Sequence, residues 1–226
     1  MNKQLVIVGN PNVGKSVLFN ALSKQYAAVS NYPGTTVEVS RGTGRMADQT
    51  WDIVDTPGMY SLFPVTEEER VARTILMTEH SDLVIHVTDA KNLERMLPLT
   101  LQLLDAGLPI LLVLNIMDEA EHEGVTIDVP RLAAELGIPV IPAIATEARG
   151  LAELKEAISS YRRPDHVRIR TELAPVLEQD LRDLVPLLPP DYAPALSKRT
   201  VALFLLSEDE EIDRQIKATP ECRQAD

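Results

Sequence analysis

The stretch Gly9-Asn10-Pro11-Asn12-Val13-Gly14-Lys15-Ser16 decides the fold, because it matches the phosphate-loop pattern G-x-x-x-x-G-K-[ST]. The apolar run 5–8 before it is typical of a buried strand, and residues 17–22 after it have apolar side chains at helical spacing. Such a strand–loop–helix unit points backbone N–H groups and the positive end of the helix at one place. The sequence therefore predicts a di- or triphosphate site from Gly9 to Val17.

Two side chains of this loop have predicted roles. Lys15 is expected to reach the outer phosphates, and the Ser16 hydroxyl is expected to bind Mg²⁺. The alternative is a chance match in an ordinary glycine-containing turn. The strand before the loop and the helix after it disfavour that alternative.

Composition limits the class of protein. The 226 residues allow an α/β domain of roughly 165 residues and a smaller appendage. A formal net charge of −12 argues against a nucleic-acid partner, because no basic surface is available to follow a phosphate backbone. The single cysteine, Cys222, excludes an intrachain disulfide and fits a reducing cytosol. No apolar run approaches the roughly 20 residues of a bilayer-spanning helix, so we expect a soluble chain.

Apolar runs alternate with helical patterns after the loop, as a mostly parallel sheet requires. We expect a six-stranded sheet flanked by helices on both faces, with strands at 5–8, 37–45, 50–54, 83–88, 109–114 and 138–142. Helices are predicted at about 66–79, 91–105, 128–136 and 150–161. Residues 46–49 are predicted to form a hairpin turn, and the acidic run 67–69 a solvated helix end.

The pattern changes after residue 161. A boundary at Arg162-Arg163-Pro164 predicts two domains, at 1–163 and 164–226. The second is expected to be small and all-helical, with an apolar stripe at 172–188, a break at Pro189-Pro190, a helix at 193–206 and a shorter helix that begins with the solvated acidic run 208–211. It has too little apolar surface to be stable alone, so we expect it to pack on the first domain.

Asp55-Thr56-Pro57-Gly58 follows the third predicted strand, at an edge where open α/β sheets bind ligands. The Asp55 carboxylate is expected to hold Mg²⁺ through water, and the Gly58 N–H to sense a γ-phosphate. The pattern D-x-x-G is common by itself. Its position at a strand end, about forty residues after a phosphate loop, favours a nucleotide-binding role for it here.

Asn115-Ile116-Met117-Asp118 ends the fifth predicted strand. A carboxylate here can accept two hydrogen bonds from guanine, a pair that adenine does not offer, so the motif favours GTP over ATP. The alternative is a pair of helix-capping residues. Ile116 stands where many GTPases have lysine, and we expect modest GTP affinity and quick exchange from the lost base contact.

Three further features complete the predicted site. Ala145-Thr146 follows the sixth strand, where a backbone N–H would meet guanine O6. In the segment 31–38, Thr35 or Thr36 is expected to complete the Mg²⁺ shell, and spacing alone does not choose between them. Met59 stands where GTPases often carry a water-orienting glutamine. Water would then be positioned by backbone groups, or turnover would be slow.

The stretches 9–16, 31–38, 55–62 and 115–118 resemble those of the FeoB family of bacterial ferrous-iron transport proteins, in its N-terminal cytosolic part. The resemblance covers essentially the whole chain and is strongest over 3–161. It implies a Ras-like P-loop GTPase fold followed by a helical spacer that favours GDP binding. Ala145 departs from the serine usual there, which leaves the rigidity of the guanine loop open, and the appendage is short for a complete spacer.

The resemblance also implies roles for residues. It aligns Thr36, rather than Thr35, with the Mg²⁺-binding threonine, and Asn12 with a K⁺-binding asparagine beside the phosphates. Such a cation would take the place of an arginine finger. The resemblance implies that Asn12, Lys15, Thr36 and Gly58 take part in hydrolysis. It implies that Ser16, Thr36 and Asp55 bind Mg²⁺. The residues that it implies in nucleotide binding are 9–17, Thr35, Thr36, Asp55, Gly58, Asn115, Met117, Asp118, Ala145 and Thr146.

The resemblance further implies a longer parent protein. Its cofactors would be GTP or GDP, Mg²⁺ and K⁺, and its module would lie at the cytoplasmic face of the bacterial inner membrane, coupled to a C-terminal transmembrane region. Self-association and small Feo accessory proteins are possible partners, and nucleic acid is not expected. Two alternatives stay open from sequence: a ribosome-assembly or tRNA-modification GTPase, and a regulatory switch with negligible turnover.

Overall fold

The computed structural model describes residues 2–23, 25–163, 171–189, 192 and 195–217. Pro164, Pro190, Ala193 and Cys222, which carry the predicted boundary, helix break, helix start and lone thiol, lie outside these residues.

Seven strands form one sheet in the described part of the chain, in the order β2-β3-β4-β1-β5-β6-β7. They are β1 Lys3–Gly9, β2 Gln25–Asn31, β3 Glu38–Met46, β4 Gln49–Asp55, β5 Leu83–Asp89, β6 Ile110–Asn115 and β7 Val140–Pro142. β3 runs antiparallel to β2 and β4, whereas the pairs β4–β1, β1–β5, β5–β6 and β6–β7 are parallel. The carboxyl ends of five strands therefore meet at one edge of the sheet.

The prediction of six strands is wrong by one, because it lacks β2. The apolar run in the sequence QYAAVSN of β2 is only four residues long and half alanine, and the strand pairs only with β3 at the edge of the sheet. Its Val29 is 59% exposed. An edge strand has one neighbouring strand and lacks the long apolar run of a central strand that is covered on both faces, so the pattern that predicts the other strands is weak here.

The described residues form nine α-helices. Their bounds are α1 Lys15–Leu22, α2 Glu67–Thr78, α3 Leu93–Asp105, α4 Met117–His122, α5 Val129–Leu136, α6 Leu151–Ser160, α7 Pro175–Leu184, α8 Lys198–Leu206 and α9 Glu210–Lys217. The four helices predicted between the strands are confirmed as α2, α3, α5 and α6, and the predicted hairpin turn joins β3 to β4. α4, a single short helix, was not predicted.

The C-terminal helices are shorter than predicted. α7 gives way after Leu184 to a 3-10 turn, Val185–Leu187, in which Pro186 cannot supply a helical N–H. α8 begins at Lys198 because the Ser197 side chain caps it, with its hydroxyl oxygen accepting from the Thr200 N–H. None of the described helices is long and apolar enough to cross a membrane.

Alternate residues of the central strands supply two hydrophobic layers. Leu5 and Ile7 of β1 pack with α1 and α6, whereas Val6 and Val8 pack with α2 and α3 on the opposite face. The second layer also contains Leu181, Val201, Phe204 and Ile212 of the C-terminal helices, and Leu196, which precedes α8. The expectation that the appendage packs on the first domain is therefore confirmed.

Candidate nucleotide site

The phosphate loop (residues 9–16) connects β1 to α1 and requires glycine at two positions. Gly9 has φ of 147°, and a Cβ there would lie 2.2 Å from the Val87 carbonyl oxygen. Gly14 has φ of 88°, and its Cβ would lie 2.3 Å from Asn115 Nδ2. Asn12 also takes a left-handed conformation, with φ of 64°. These conformations turn the chain tightly around the start of α1, where Val17 is 40% exposed.

Lys15 is 8% exposed, and its Nζ donates a hydrogen bond of 3.0 Å to the Asn10 carbonyl. Burial lowers the pKa of Lys15, and the charge of Asp55 acts in the opposite direction. Asn10 Oδ1 is buried without a hydrogen-bond partner among the described residues. The loop thus encloses a cation and an unsatisfied polar atom, which suits a phosphate ligand with bound water or cation.

The Ser16 hydroxyl donates to Asp55 Oδ2 at 2.9 Å and joins α1 to the end of β4. Burial raises the pKa of Asp55, against the opposing effects of the Ser16 hydrogen bond and the Lys15 charge. The other carboxylate oxygen, Asp55 Oδ1, is buried with no partner in the described structure. A hydroxyl and a carboxylate are the hard oxygen ligands that Mg²⁺ prefers, so the pair fits a magnesium site.

The switch II loop (residues 58–66) begins against the phosphate loop. A Cβ on Gly58 would lie 2.7 Å from Pro11 Cγ, so only glycine fits this approach. The Met59 N–H donates to the Gly9 carbonyl at 3.1 Å, and the Met59 side chain is fully buried. Met59 therefore belongs to the core and does not reach the reacting phosphate, as its side-chain chemistry predicts.

Asn115, at the end of β6, connects two loops. Its Nδ2 donates to the Val13 carbonyl at 2.9 Å, and its Oδ1 accepts from the Ala145 N–H at 2.9 Å. Ile116 follows with φ of 62°, a strained conformation for a β-branched residue. Asp118 lies exposed in the first turn of α4, which Met117 begins. The backbone strain at Ile116 is thus located between the residues predicted to bind guanine.

Ala145 and Thr146, both predicted to lie at guanine O6, differ in whether their backbone N–H group is free to bind the base. The Ala145 N–H is already engaged by Asn115, so it is not the amide that would meet guanine O6. Thr146 is exposed, and its N–H makes no hydrogen bond within the described residues. Thr146 is therefore the better placed of the two.

The two threonines of the switch I segment (residues 31–38) differ in their contacts. The Thr35 hydroxyl donates to the Tyr32 carbonyl at 3.0 Å and accepts from the Val37 N–H at 3.2 Å. Thr36 is exposed, and its hydroxyl has no partner among the described residues. No hydrogen bond in that part of the chain joins Thr36 to the phosphate loop. The structure thus brings Lys15, Ser16, Asp55 and Asn115 together, while Thr36 and Asp118 stay at the rim.

Sequence reasoning missed the residues that hold the switch II loop. Glu69, predicted to be solvated, is 6% exposed and accepts from the N–H groups of Tyr60, Val65 and Thr66. Burial alone would raise its pKa, but these amides hold the pKa of Glu69 below its ordinary value. Thr66-x-x-Glu69 is a capping box, a signal that could have revealed the residue.

Comparison with known proteins identifies the family. The family model for ferrous iron transport protein B matches residues 3–158. The Fe(2+) transporter FeoB of Escherichia coli K12 is 38% identical over 207 residues, covering 90% of this chain and 26% of the relative. A Porphyromonas gingivalis Fe(2+) transport protein A/Fe(2+) transporter FeoB fusion protein is 38% identical over 225 residues, with coverage of 96% and 26%. This chain belongs to the FeoB family.

Solved FeoB structures share the fold. The cytosolic domain of the T. maritima FeoB iron transporter in its apo form gives a TM-score of 0.85 at 34% identity, covering 95% of this chain and 85% of that one. Its GMPPNP form gives 0.85 at 34% identity, with coverage of 94% and 84%. The L. pneumophila FeoB cytosolic domain gives 0.83 at 33% identity, with coverage of 93% and 91%.

These matches confirm the Ras-like α/β fold and do not favour a ribosome-assembly or tRNA-modification GTPase. The chain spans about a quarter of the length of the curated FeoB relatives, because 26% of each is covered.

Proposed function

We propose that this chain is the Mg²⁺-dependent GTPase module of a ferrous-iron transporter, and that its nucleotide state controls Fe²⁺ passage through a membrane region. The observation that carries the proposal is the convergence of Lys15, the Ser16–Asp55 pair and Asn115 at the carboxyl ends of β1, β4 and β6. The matched FeoB relatives, one of them solved in a GMPPNP form, support it. The module would comprise a nucleotide-binding domain at 1–163 and a helical spacer at 164–226.

The phosphates would be held by the backbone N–H groups of residues 9–17, except Pro11, which has none, and by the Lys15 ammonium. Ser16, Asp55 and Thr36 would hold Mg²⁺, which neutralises charge on the outer phosphates when bound. Thr36 is preferred over Thr35 because the Thr35 hydroxyl is already engaged within its own turn. The Gly58 N–H, positioned beside Pro11, would donate to a terminal phosphate.

Guanine would be selected by the Asp118 carboxylate, with Asn115 fixing the loops on both sides and the Thr146 N–H meeting O6. The test is Asp118→Asn, which exchanges two acceptor oxygens for an amide. We expect it to lose GTP affinity by about 100-fold or more and to gain affinity for xanthosine triphosphate. Unchanged GTP selectivity would show that another group recognises the base.

Hydrolysis would need positive charge, and the phosphate loop, the switch I segment and the switch II loop contain no lysine or arginine besides Lys15. A K⁺ ion bound by Asn12 fits this need, because the left-handed Asn12 stands in the loop beside the phosphates. Asn12→Ala should abolish the K⁺ stimulation of phosphate release while sparing GDP binding. Equal rates in K⁺ and Na⁺ for the unsubstituted chain would refute the K⁺ role, and no turnover in either would favour a switch.

The partners follow from the same proposal. The module would act at the cytoplasmic face of the inner membrane, joined to the transmembrane region of its parent protein. Homo-oligomers and small Feo accessory proteins are further candidates. Co-purification of the full-length protein with and without GTP would test which of these associations depends on the nucleotide.

A further inference from the structure

Helix α4, which carries Asp118, has few contacts of its own that fix its orientation. Ala120 is the only buried one of its six residues, and no side-chain hydrogen bond caps its start in the described structure. Ile116, just before the helix, has φ of 62°, so the chain leaves Asn115 in a strained conformation. The hydrogen bonds of Asn115 therefore do not by themselves determine where the Asp118 carboxylate points.

The rotation of α4 about its own axis matters for the base that Asp118 would bind. A helical side chain ends about 5–6 Å from the helix axis, so a rotation of about 20° moves a carboxylate oxygen by about 2 Å. Hydrogen bonds do not survive such a displacement. A residue that fixes the rotation of α4 would therefore influence base recognition without touching the base.

Lys91 reaches α4 from the end of β5. Its Nζ donates to the Glu119 carboxylate and lies 3.9 Å from Glu123 Oε1. The two glutamates are four residues apart, so their charges would repel each other without a cation between them. In the described part of the chain, no other side chain makes a hydrogen bond or an ion pair with the side chains of residues 117–122.

The backbone of Lys91 is itself fixed to the sheet. Lys91 lies in the 3-10 turn Ala90–Asn92, which the Asp89 side chain caps by accepting from the Lys91 N–H at 3.1 Å. The Asn92 side chain donates to the other Asp89 oxygen at 2.8 Å. Asp89 is 8% exposed and ends the buried strand β5. Lys91 therefore connects α4 to a fixed point of the sheet.

We propose that Lys91 is a positioning residue for base recognition: its ion pairs with the two glutamates fix the rotation of α4 and hold the Asp118 carboxylate against the N1–H and 2-amino groups of guanine. The inference rests on the proposed function, since it assumes that Asp118 recognises guanine. The effect is of moderate size, because the side chains of Lys91, Glu119 and Glu123 are 26%, 54% and 57% exposed and salt screens their charges.

Lys91→Met is the decisive variant, because methionine keeps an unbranched apolar side chain and removes the charge. The measurement is the affinity of the chain for GDP and for inosine diphosphate, which lacks the 2-amino group. We expect the variant to bind GDP about fourfold more weakly and inosine diphosphate about twofold more weakly, because GDP offers two donors to Asp118 and inosine diphosphate only one. The preference for GDP over inosine diphosphate should thus fall by about twofold.

Salt gives a second measurement that depends on the charge of Lys91. Raising the NaCl concentration from about 0.1 M to about 1 M shortens the screening length from about 10 Å to about 3 Å. The difference in GDP affinity between the unsubstituted chain and Lys91→Met should therefore shrink as NaCl is added. Loss of packing by the side chain would give a difference that does not depend on salt.

Lys155→Met is the matched control, because it makes the same substitution in α6. Lys155 has no ion pair in the described structure, so the variant should leave both affinities unchanged. Lys91→Arg keeps the charge and should retain the affinity for GDP. Glu119→Gln removes the partner's charge and should weaken GDP binding as Lys91→Met does, and the double variant should be little weaker than either single one.

Three results would overturn the proposal. Lys91→Met could leave both affinities unchanged, weaken GDP and inosine diphosphate by the same factor, or differ from the unsubstituted chain equally at every salt concentration. Failure of the unsubstituted chain to bind GDP, or unchanged selectivity in Asp118→Asn, would instead refute the proposed function. Those results do not involve Lys91, so the two failures are distinguishable.

Discussion

The nucleotide edge of the sheet and the contact between α2 and the C-terminal helices both bury charge, but among the described residues only the contact holds its charge with ion pairs between side chains. At the edge, burial lowers the pKa of Lys15 and raises the pKa of Asp55, whose Oδ1 has no partner in the described structure. At the contact, burial alone would raise the pKa of Asp209, but Arg73 and two backbone amides hold it below its ordinary value. The pKa values of a buried carboxylate, Asp55, and a half-buried one, Asp209, are thus shifted in opposite directions.

The difference distinguishes a binding site from a structural contact. Arg73 has two carboxylate partners and an aromatic ring for its terminal nitrogens, and its Nε is buried without a hydrogen-bond partner in the described structure. Asp55 and Asn10 retain unsatisfied oxygens, and Ile116 retains backbone strain, at a cost in stability that a ligand can offset. Stability is lower where the nucleotide and its metal are expected to bind.

The largest effect is expected at the nucleotide edge, from Lys15→Ala. Removing the buried ammonium deletes charge-assisted hydrogen bonds to the outer phosphates, so nucleotide affinity should fall by about 100-fold. Calorimetric titration with GDP measures it. Lys198→Ala, at an exposed lysine that begins α8, is the control and should bind normally. Equal affinity of the two variants would remove Lys15 from the site.

A smaller effect should separate the two threonines of the switch I segment. Thr36→Ala should slow Mg²⁺-dependent GTP hydrolysis by about tenfold with little change in melting temperature, because its hydroxyl is exposed and unpartnered in the described structure. Thr35→Ala breaks the local turn and should lower stability by about 1 kcal/mol, with less loss of hydrolysis. The reverse order of the hydrolysis rates would move the metal ligand to Thr35.

The raised pKa of Asp55 and the lowered pKa of Asp209 predict opposite pH dependences of stability. A raised pKa means that folded Asp55 holds its proton more tightly than the unfolded chain does, so its ionisation costs stability as the pH rises. Asp55→Asn should therefore stabilise the nucleotide-free protein by about 1 kcal/mol near pH 7, less at low pH, and weaken Mg²⁺-dependent binding. Urea unfolding across pH measures the gain. A destabilised variant would contradict it.

The smallest expected effect is at Asp209, where stability should depend on pH in the direction opposite to that at Asp55. Its lowered pKa means that its contribution to stability is present above the unfolded value of 3.8 and is lost as the pH falls through the folded value. Asp209→Asn should therefore be less stable than the unsubstituted chain near neutral pH, and this difference in unfolding free energy should shrink as the pH falls below 3.8. A gap that stays constant with pH would show that the charge of Asp209 is not what holds Arg73.

The sequence predicts the parts of the fold that are buried and local. β1 and β6 contain continuous apolar runs, and β5 contains one interrupted by His86, because parallel central strands are covered on both faces. The phosphate loop can be recognised from the sequence because its glycines and Lys15 occur at a fixed spacing. β2 was missed because this edge strand carries only a short apolar run that is half alanine.

The site's supporting residues were harder to predict because their partners are distant in the chain. Arg73 and Asp209 are 136 residues apart, and spacing gives no information about such a pair. Glu69 stands in an acidic run that fits a solvated helix end, and only the capping box with Thr66 indicates otherwise. Thr35 and Thr36 are adjacent, so only the local hydrogen bonds separate them.

Calorimetric titration of the folded chain with GDP and with GMPPNP, each in the presence of Mg²⁺, tests the central claim most directly. We predict saturable binding of about one guanine nucleotide per chain and no measurable binding of ATP. Heat from neither guanine nucleotide, on protein shown to be folded by its circular dichroism, would contradict the account.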